Sequence, residues 1–448
     1  MVKPNPPQIM AASFLCVIML GAALLSLPAA TSLPGSLSFI DGLFTSTSAV
    51  CVTGLTVVDT GTIFSSAGRW ILFALFQIGG LGIMTFSTFF AVLMGRKIGF
   101  SETDVIKSSM DRHSVFGMER LILYILGLTF TIEAVGAALL FLRWRATMSW
   151  TAAETLTQAV FHSVSGFCNA GFSLFGDSFS AYRADPWINI IMMGLIVAGG
   201  IGFIVLMDAA GLFRKSRGTK NLSLQSKVAI TTSAILILGG AALIFLFERG
   251  NLLKGMGMGE SLLASFFQSV TARTAGFNTV NIAGMASPAR LVLIFLMFIG
   301  ASPGSTGGGI KTCTFAVLAV TVYGIMRNKA RTSFFGRSVP MQIIREVIVI
   351  IFLAIAWIFA ATIALTYLER NNPAISGNFM GAFFEVVSAF GTVGLSTGVT
   401  AGLSFGGKIC IILTMYAGRI GPLTLALAVA FRPRADRYSY PEENIMVG

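Results

Sequence analysis

Four glycines close short polar stretches of this chain, and a phenylalanine stands ten residues before each: Phe44/Gly54, Phe161/Gly171, Phe266/Gly276 and Phe384/Gly394. The loops read Val52-Thr53-Gly54-Leu55, Asn169-Ala170-Gly171-Phe172, Thr274-Ala275-Gly276-Phe277 and Thr392-Val393-Gly394-Leu395. Glycine takes positive φ at little cost, so successive carbonyls can face one way. Four such loops about a common axis would offer rings of backbone oxygens that replace the water shell of a potassium-sized cation. No ring of carboxylates accompanies them, so the expected selectivity is that of neutral carbonyls. A serine lies six residues before the glycine in three copies (Ser48, Ser165, Ser388), and Val270 holds that place in the third.

A second group of residues could control access. Residues 300–312 contain Pro303-Gly304-Ser305-Thr306-Gly307-Gly308-Gly309-Ile310-Lys311, between two apolar stretches. Proline and glycines hold a helix poorly. At membrane depth such backbone must line a cavity or pack on protein. Two readings stand: a kinked helix, or a flexible loop that blocks a passage just below the glycines. A phosphate-binding loop is excluded on spacing, because Ile310 separates Gly309 from Lys311 and no strand precedes it. Arg419 is a charge inside an apolar span, where polar residues are costly and usually functional. It either faces a passage and touches the 304–309 loop or is satisfied by helix-end carbonyls.

These groups need a membrane framework. The 448 residues are 55% hydrophobic and 11% charged, with mean hydropathy +0.81, against about 25% charged in soluble proteins. Eight apolar runs, near 8–29, 69–95, 119–142, 186–213, 227–248, 288–326, 343–368 and 406–431, are long enough to cross a bilayer. The sixth is overlong and broken in its middle. Leu27 to Ala30 resembles a signal-peptide cleavage end, but the preceding run is too long for one and seven further spans follow, so a retained span is expected. Four short segments, about 36–53, 152–170, 257–275 and 376–393, sit between paired spans and read as half-helices entering from outside, their C-terminal dipole ends aimed at a cation. The predicted fold is all-α membrane: eight spans and four re-entrant loops in pseudo-fourfold order. Its four repeats cover 1–112, 113–222, 223–338 (with the broken span) and 339–448 (with a C-terminal tail). The later span of each repeat also carries a glycine motif: Gly79-Gly80-Leu81-Gly82, Gly199-Gly200-Ile201-Gly202, Gly308-Gly309-Ile310-Lys311 and Gly418-Arg419-Ile420-Gly421. Close helix packing accounts for the first two.

The net charge of +12 reads as topology. With both termini cytoplasmic, basic residues favour the cytoplasmic side 19 to 9. No basic-aromatic interleaving points to nucleic acid. Cys16, Cys51, Cys168, Cys313 and Cys410 form no C-x-x-C pair. The two histidines, His113 and His162, stand in unrelated places, and no nucleophile, base or metal cluster argues for an enzyme. Interhelical hydrogen bonding is expected of Glu133, Asp208, His162 and Glu385. A coupling role for Glu133 or Glu385 is a minor alternative. Asp41, Asp59, Asp177 and Asp185 either concentrate cations at an outer mouth or belong to a solvated loop.

At the four glycine loops, the paired spans and the broken third-repeat span, the chain resembles the Trk/Ktr/HKT superfamily of potassium transporters, most of all the Ktr-type membrane subunit of bacteria. The resemblance covers nearly the whole chain. It implies potassium as the transported ion (Gly54, where sodium-preferring members carry serine), no nucleotide on this chain, and a gating loop over residues 304–309 with Lys311 and Arg419. It also implies a homodimer in a bacterial inner membrane, seated on a cytosolic ring of nucleotide-binding subunits. Asn169 and Arg273 depart from the other loops. A free cation facing the passage would repel potassium, so Arg273 is expected to point behind the loops and make structural hydrogen bonds. The rival class is an ion-coupled secondary carrier, which would favour inverted repeats and charged midplane ligands.

Overall fold

The computed structural model describes residues 6–32, 37–93, 116–213, 222–329, 331–373, 375–421 and 424. The repeat boundary at 112 and most of the basic loops and tail that set the charge asymmetry lie outside these residues.

Helices follow one another in a recurring order of long, short, long. The first set is α1 (Pro6–Leu25), α2 (Phe39–Val50), the single turn α3 (Thr60–Ile63) and α4 (Ser66–Leu93). The second is α5 (Phe116–Thr147), α6 (Ala152–Cys168), α7 (Pro186–Gly200) and α8 (Phe203–Phe213). The third is α9 (Leu224–Glu248), α10 (Met258–Thr271), α11 (Ser287–Phe298) and α12 (Thr312–Met326). A two-residue-strand hairpin, β1 (Ser333–Phe334) with β2 (Arg337–Ser338), precedes the fourth: α13 (Met341–Leu368), α14 (Phe379–Gly391) and α15 (Phe405–Ile420). Among the described residues α1, α5, α9 and α13 each hold a stretch long and apolar enough to cross a membrane.

The surface is apolar where that of a water-soluble bundle would be polar, and hydroxyls are drawn inside. Leu20, Leu123, Ile235 and Phe352 are each at least 60% exposed, whereas Ser46, Ser163, Ser269 and Thr392 are fully buried. Hydrocarbon outside demands this, because only the protein interior can satisfy hydroxyls and backbone groups.

The short helices are fixed at both ends. Ser38, Thr151 and Asn378 cap the N-termini of α2, α6 and α14, each accepting a hydrogen bond from a first-turn amide. Each helix then docks on its long neighbour. The hydroxyls of Ser46, Ser163 and Ser269 donate to the carbonyls of Ile18, Glu133 and Ile237 at 2.7, 2.6 and 2.8 Å. Gly136 and Gly240, three residues beyond the last two of those carbonyls, leave room for the hydroxyl. A Cβ on either would stand 2.6 or 2.5 Å from it.

Two sequence expectations are corrected. The run 186–213 is not one straight span: the chain turns by 104° between α7 and α8, across Ile201 and Gly202 (φ 94°). In the third copy the buried phenylalanine is Phe267, not Phe266, which is partly exposed. Counting from it, the residue matching Ser48, Ser165 and Ser388 is Thr271, not Val270. Thr271 O accepts from Ala275 N (2.9 Å) just as Ser48, Ser165 and Ser388 O accept from Thr53, Ala170 and Val393 N (2.8, 2.8 and 2.9 Å). The third loop is therefore one residue shorter than the others.

Candidate functional site

The four glycines stand in one closed ring. A Cβ built on Gly54 would lie 2.8 Å from Gly171 Cα, one on Gly171 3.4 Å from Gly276 Cα, one on Gly276 3.1 Å from Gly394 Cα, and one on Gly394 3.0 Å from Gly54 Cα. Each such Cβ would also press on a carbonyl of the neighbouring loop: Ala170, Ala275, Val393 and Thr53 in turn. No side chain fits at these positions.

The backbone alternates in the same way in all four loops. Gly54, Gly171, Gly276 and Gly394 have φ of 88°, 72°, 80° and 93°, and the residues two before them, Val52, Asn169, Thr274 and Thr392, have φ of 55°, 58°, 78° and 51°. Left-handed conformation costs an L-residue roughly 1–2 kcal/mol, and β-branched Val52, Thr274 and Thr392 adopt it only because the surroundings enforce it. Asn169, which departs in sequence from the other loops, is the residue type that tolerates it.

Enforcement comes from the short helices. Ser48 Oγ accepts from Gly54 N at 3.0 Å and Ser388 Oγ from Gly394 N at 3.1 Å, while Ser165 Oγ donates to Phe172 O at 2.7 Å. Thr271 Oγ1 has no partner, so the third loop lacks this tie. Beyond the glycines, Leu55, Phe172, Phe277 and Leu395 are buried. Glu385 grips the fourth return segment: its carboxylate accepts from Ser396 Oγ (2.7 Å), Thr397 N (2.8 Å) and Thr400 Oγ1 (2.5 Å). His162 holds the matching place in the second copy, its Nε2 accepting from Leu174 N at 3.2 Å.

Directly against the ring lies the non-helical stretch between α11 and α12. Thr306 Oγ1 is 3.2 Å from the Asn169 amide, Gly308 N donates to Thr392 Oγ1 at 3.0 Å, and a Cβ on Gly307 would collide with the Thr274 hydroxyl. One loop thus meets the first residue of three of the four glycine segments. It is seated on the α7–α8 break by Ser302 N to Gly200 O (2.9 Å), Thr306 N to Gly199 O (3.2 Å) and Phe203 N to Gly304 O (3.0 Å). The break missed from sequence is this seat. Arg419, 3% exposed, donates to Thr306 O and, at 2.7 Å, to Gly79 O on α4. Lys311 Nζ donates to Gly307 O at 2.6 Å. Two cations therefore bind adjacent carbonyls of one loop.

Glycines of the later long helices let them reach the short helices. A Cβ on Gly79, Gly199 or Gly418 would stand 2.8, 2.9 or 2.7 Å from the carbonyl carbon of Val50, Phe167 or Phe390, equivalent residues in the three copies. Gly308 does not share this role, since it faces Thr392.

Arg273 corrects a further expectation. It lines a pocket with Ile196 of α7 and Ser233 and Ile237 of α9, behind the third loop, yet its Nε has no hydrogen-bond partner. Glu133 accepts from Gln77 Nε2 at 3.1 Å, and Asp208 from Ser226 Oγ at 2.6 Å and Ser223 N at 3.1 Å. Of the outer aspartates, Asp41 pairs with Lys408 (2.6 Å), Asp185 with Arg143 (2.9 Å), and Asp59 caps α3.

Two buried carboxylates escape a reading of the sequence. Glu248 accepts from Asn251 Nδ2 (2.8 Å) and Ala286 N (2.7 Å), and Glu369 from Asn372 Nδ2 (2.7 Å) and Ser404 N (2.9 Å). Each ties the end of one long helix to the start of the next. The signal is present as a repeated Glu-Arg-x-Asn, at 248–251 and 369–372.

The TrkH profile, described as "Cation transport protein", matches residues 4–439. This chain belongs to the TrkH family of cation transport proteins. It is 38% identical to the potassium/sodium uptake protein NtpJ of Enterococcus hirae, over 99% of this chain and 97% of that protein. It is 40% identical to the Ktr system potassium uptake protein B of Vibrio alginolyticus, over 100% of this chain and 96% of that one. The fold matches the crystal structure of the potassium transporter TrkH from Vibrio parahaemolyticus with a TM-score of 0.71, at 21% identity, over 94% of this chain and 85% of that one. The TrkH-family relatives are transporters, not enzymes, and among the described residues no cluster of His, Cys, Asp or Glu could hold a metal ion.

Proposed function

We propose that this chain is the ion-conducting subunit of a potassium uptake system, with eight spans and four re-entrant loops around one passage. The observation that carries the reading is the closed ring of Gly54, Gly171, Gly276 and Gly394, each two residues after a second left-handed residue. Alternating left-handed and extended backbone turns successive carbonyls the same way, so the four segments supply stacked oxygens in place of hydration. Val52, Thr53, Asn169, Ala170, Thr274, Ala275, Thr392 and Val393 are the proposed oxygen donors with the glycines. Glu385 and the serines below them act as support. The names of the relatives, potassium uptake proteins of Ktr systems, support potassium as cargo and a multi-component assembly.

The loop 304–309 is the proposed gate. It lies across three of the four segments, and Arg419 and Lys311 hold it with positive charge where a cation would leave the ring. That charge adds an electrostatic barrier in a low-dielectric passage. A homodimer on a cytosolic nucleotide-binding ring, both termini cytoplasmic, completes the proposal for a bacterial inner membrane.

Rubidium uptake into a strain lacking potassium import tests the reading. Uptake that competes with potassium and yields little to equal sodium is expected. Protein inserted in the membrane without rubidium uptake would overturn it. The potassium/sodium name of the Enterococcus relative favours a second reading in which sodium is also carried, and strong sodium competition would select it.

A further inference from the structure

Arg273 carries its charge into a place where no side chain answers it. It is 8% exposed, and Ser233 of α9 is 4% exposed. Both line one pocket, walled otherwise by Ile196, Ile201, Ile237 and Val270. Arg273 Nε and Ser233 Oγ each lack a hydrogen-bond partner, and no ion pair among the described residues involves Arg273. The lining side chains include no carboxylate. There is room for about one water- or halide-sized occupant.

We propose that this pocket binds a small monovalent anion of chloride's size, held by the Arg273 guanidinium and the Ser233 hydroxyl. A buried guanidinium without a counter-charge is strongly unfavourable, and an anion removes that penalty where a water cannot. The isoleucine and valine walls disfavour sulfate and phosphate, whose larger charge holds hydration more tightly. The site also has a structural place. Arg273 immediately precedes Thr274 of the third glycine segment, the one without a hydroxyl tie. Ile201, which lines the same pocket, belongs to the break that receives the 300–312 loop. A bound anion bridges the weakest wall of the ring to the seat of the loop.

The test uses full-length protein purified in detergent, with potassium held constant and either chloride, bromide or gluconate as the anion. Saturable, equimolar binding of radioactive chloride is expected. Unfolding temperature is expected to be higher in chloride and bromide than in gluconate, since a ligand of the native state raises it by mass action. Arg273→Gln should weaken binding by roughly tenfold or more. Ser233→Leu, which fills the pocket and keeps the guanidinium, should abolish both binding and the anion-dependent shift, and it carries the test if Arg273→Gln fails to fold. Wild type that binds no halide and melts alike in all three salts would mean that the pocket holds only water, and the proposal is overturned. Binding unchanged in Ser233→Leu would place the anion elsewhere and overturn the proposal as well. Because binding is read rather than transport, the result is independent of the potassium reading.

Discussion

At the residue scale the ring glycines and their hydroxyl ties carry separable effects. Gly394→Ala places a methyl on the Thr53 carbonyl and forces an L-residue to φ 93°. Rubidium uptake should fall by at least about tenfold, equivalent to about 1.4 kcal/mol of barrier, with discrimination against sodium reduced; unchanged uptake in tracer assays would contradict the ring. The ties give a sharper contrast. Ser388→Ala strands the buried Gly394 amide, which should cost about 1–3 kcal/mol of stability. Thr271→Val removes a hydroxyl that bonds to nothing, so its thermal midpoint should stay close to wild type. Equal losses in both variants would sink this account of the third loop. Arg419→Gln frees the Thr306 and Gly79 carbonyls, and cation flux through liposomes should rise several-fold; a flux at or below wild type would argue against a restraining arginine.

At the scale of elements, the 304–309 loop and its seat form one unit. Deleting those residues should raise flux as Arg419→Gln does, and combining the two should add little, because both release the same contact. Larger flux in the double variant would separate them. At the start of α6, Thr151 and Glu154 form a reciprocal cap: Thr151 N donates to Glu154 Oε2 at 2.9 Å and Glu154 N to Thr151 Oγ1 at 3.2 Å. The Thr151 amide and, at 2.9 Å, the Thr151 hydroxyl both donate to this carboxylate and hold it below its ordinary range. A depressed folded value means that the cap contributes fully above the ordinary carboxylate range and fades as pH falls through the folded value. Melting of Glu154→Gln should therefore depend less on acid than wild type; identical pH profiles would contradict the cap. Much of this level is legible in the sequence. The broken third span and the short helices follow from glycine, proline and hydropathy alone, whereas the loop contacts of Arg419 and Lys311 are implied only by the family resemblance. The α7–α8 break does not, because Ile201 and Gly202 sit in an unbroken apolar run and the bend is set by the distant loop that bonds Gly199 and Gly200. The third-copy register fails for a related reason. A fixed ten-residue spacing selects Phe266, and the buried position of Phe267 with the Ala275 N to Thr271 O bond reveals the missing residue. At Arg273 a sequence carries no sign of the missing hydrogen-bond partner.

Across the whole molecule, neighbouring quarters are joined at one end by charge: Lys408 with Asp41 at 2.6 Å between fourth and first, and Arg183 with Glu260 at 2.9 Å between second and third. Such partly exposed pairs contribute about 0.2–1 kcal/mol each. Lys408→Ala should accordingly leave the unfolding temperature nearly unchanged, and a drop of many degrees would show that this seam, rather than the buried hydroxyl and apolar packing, closes the circle.

A passage assembled from identical chains must repeat every ornament at each corner. Here the corners are covalently strung along one polypeptide and differ in sequence, so a single corner can host the insert between Phe298 and Thr312 and a different one the arginine that clasps it. Among the described residues one quarter alone holds this insert, so a substitution there has no unaltered copy beside it to dilute its effect.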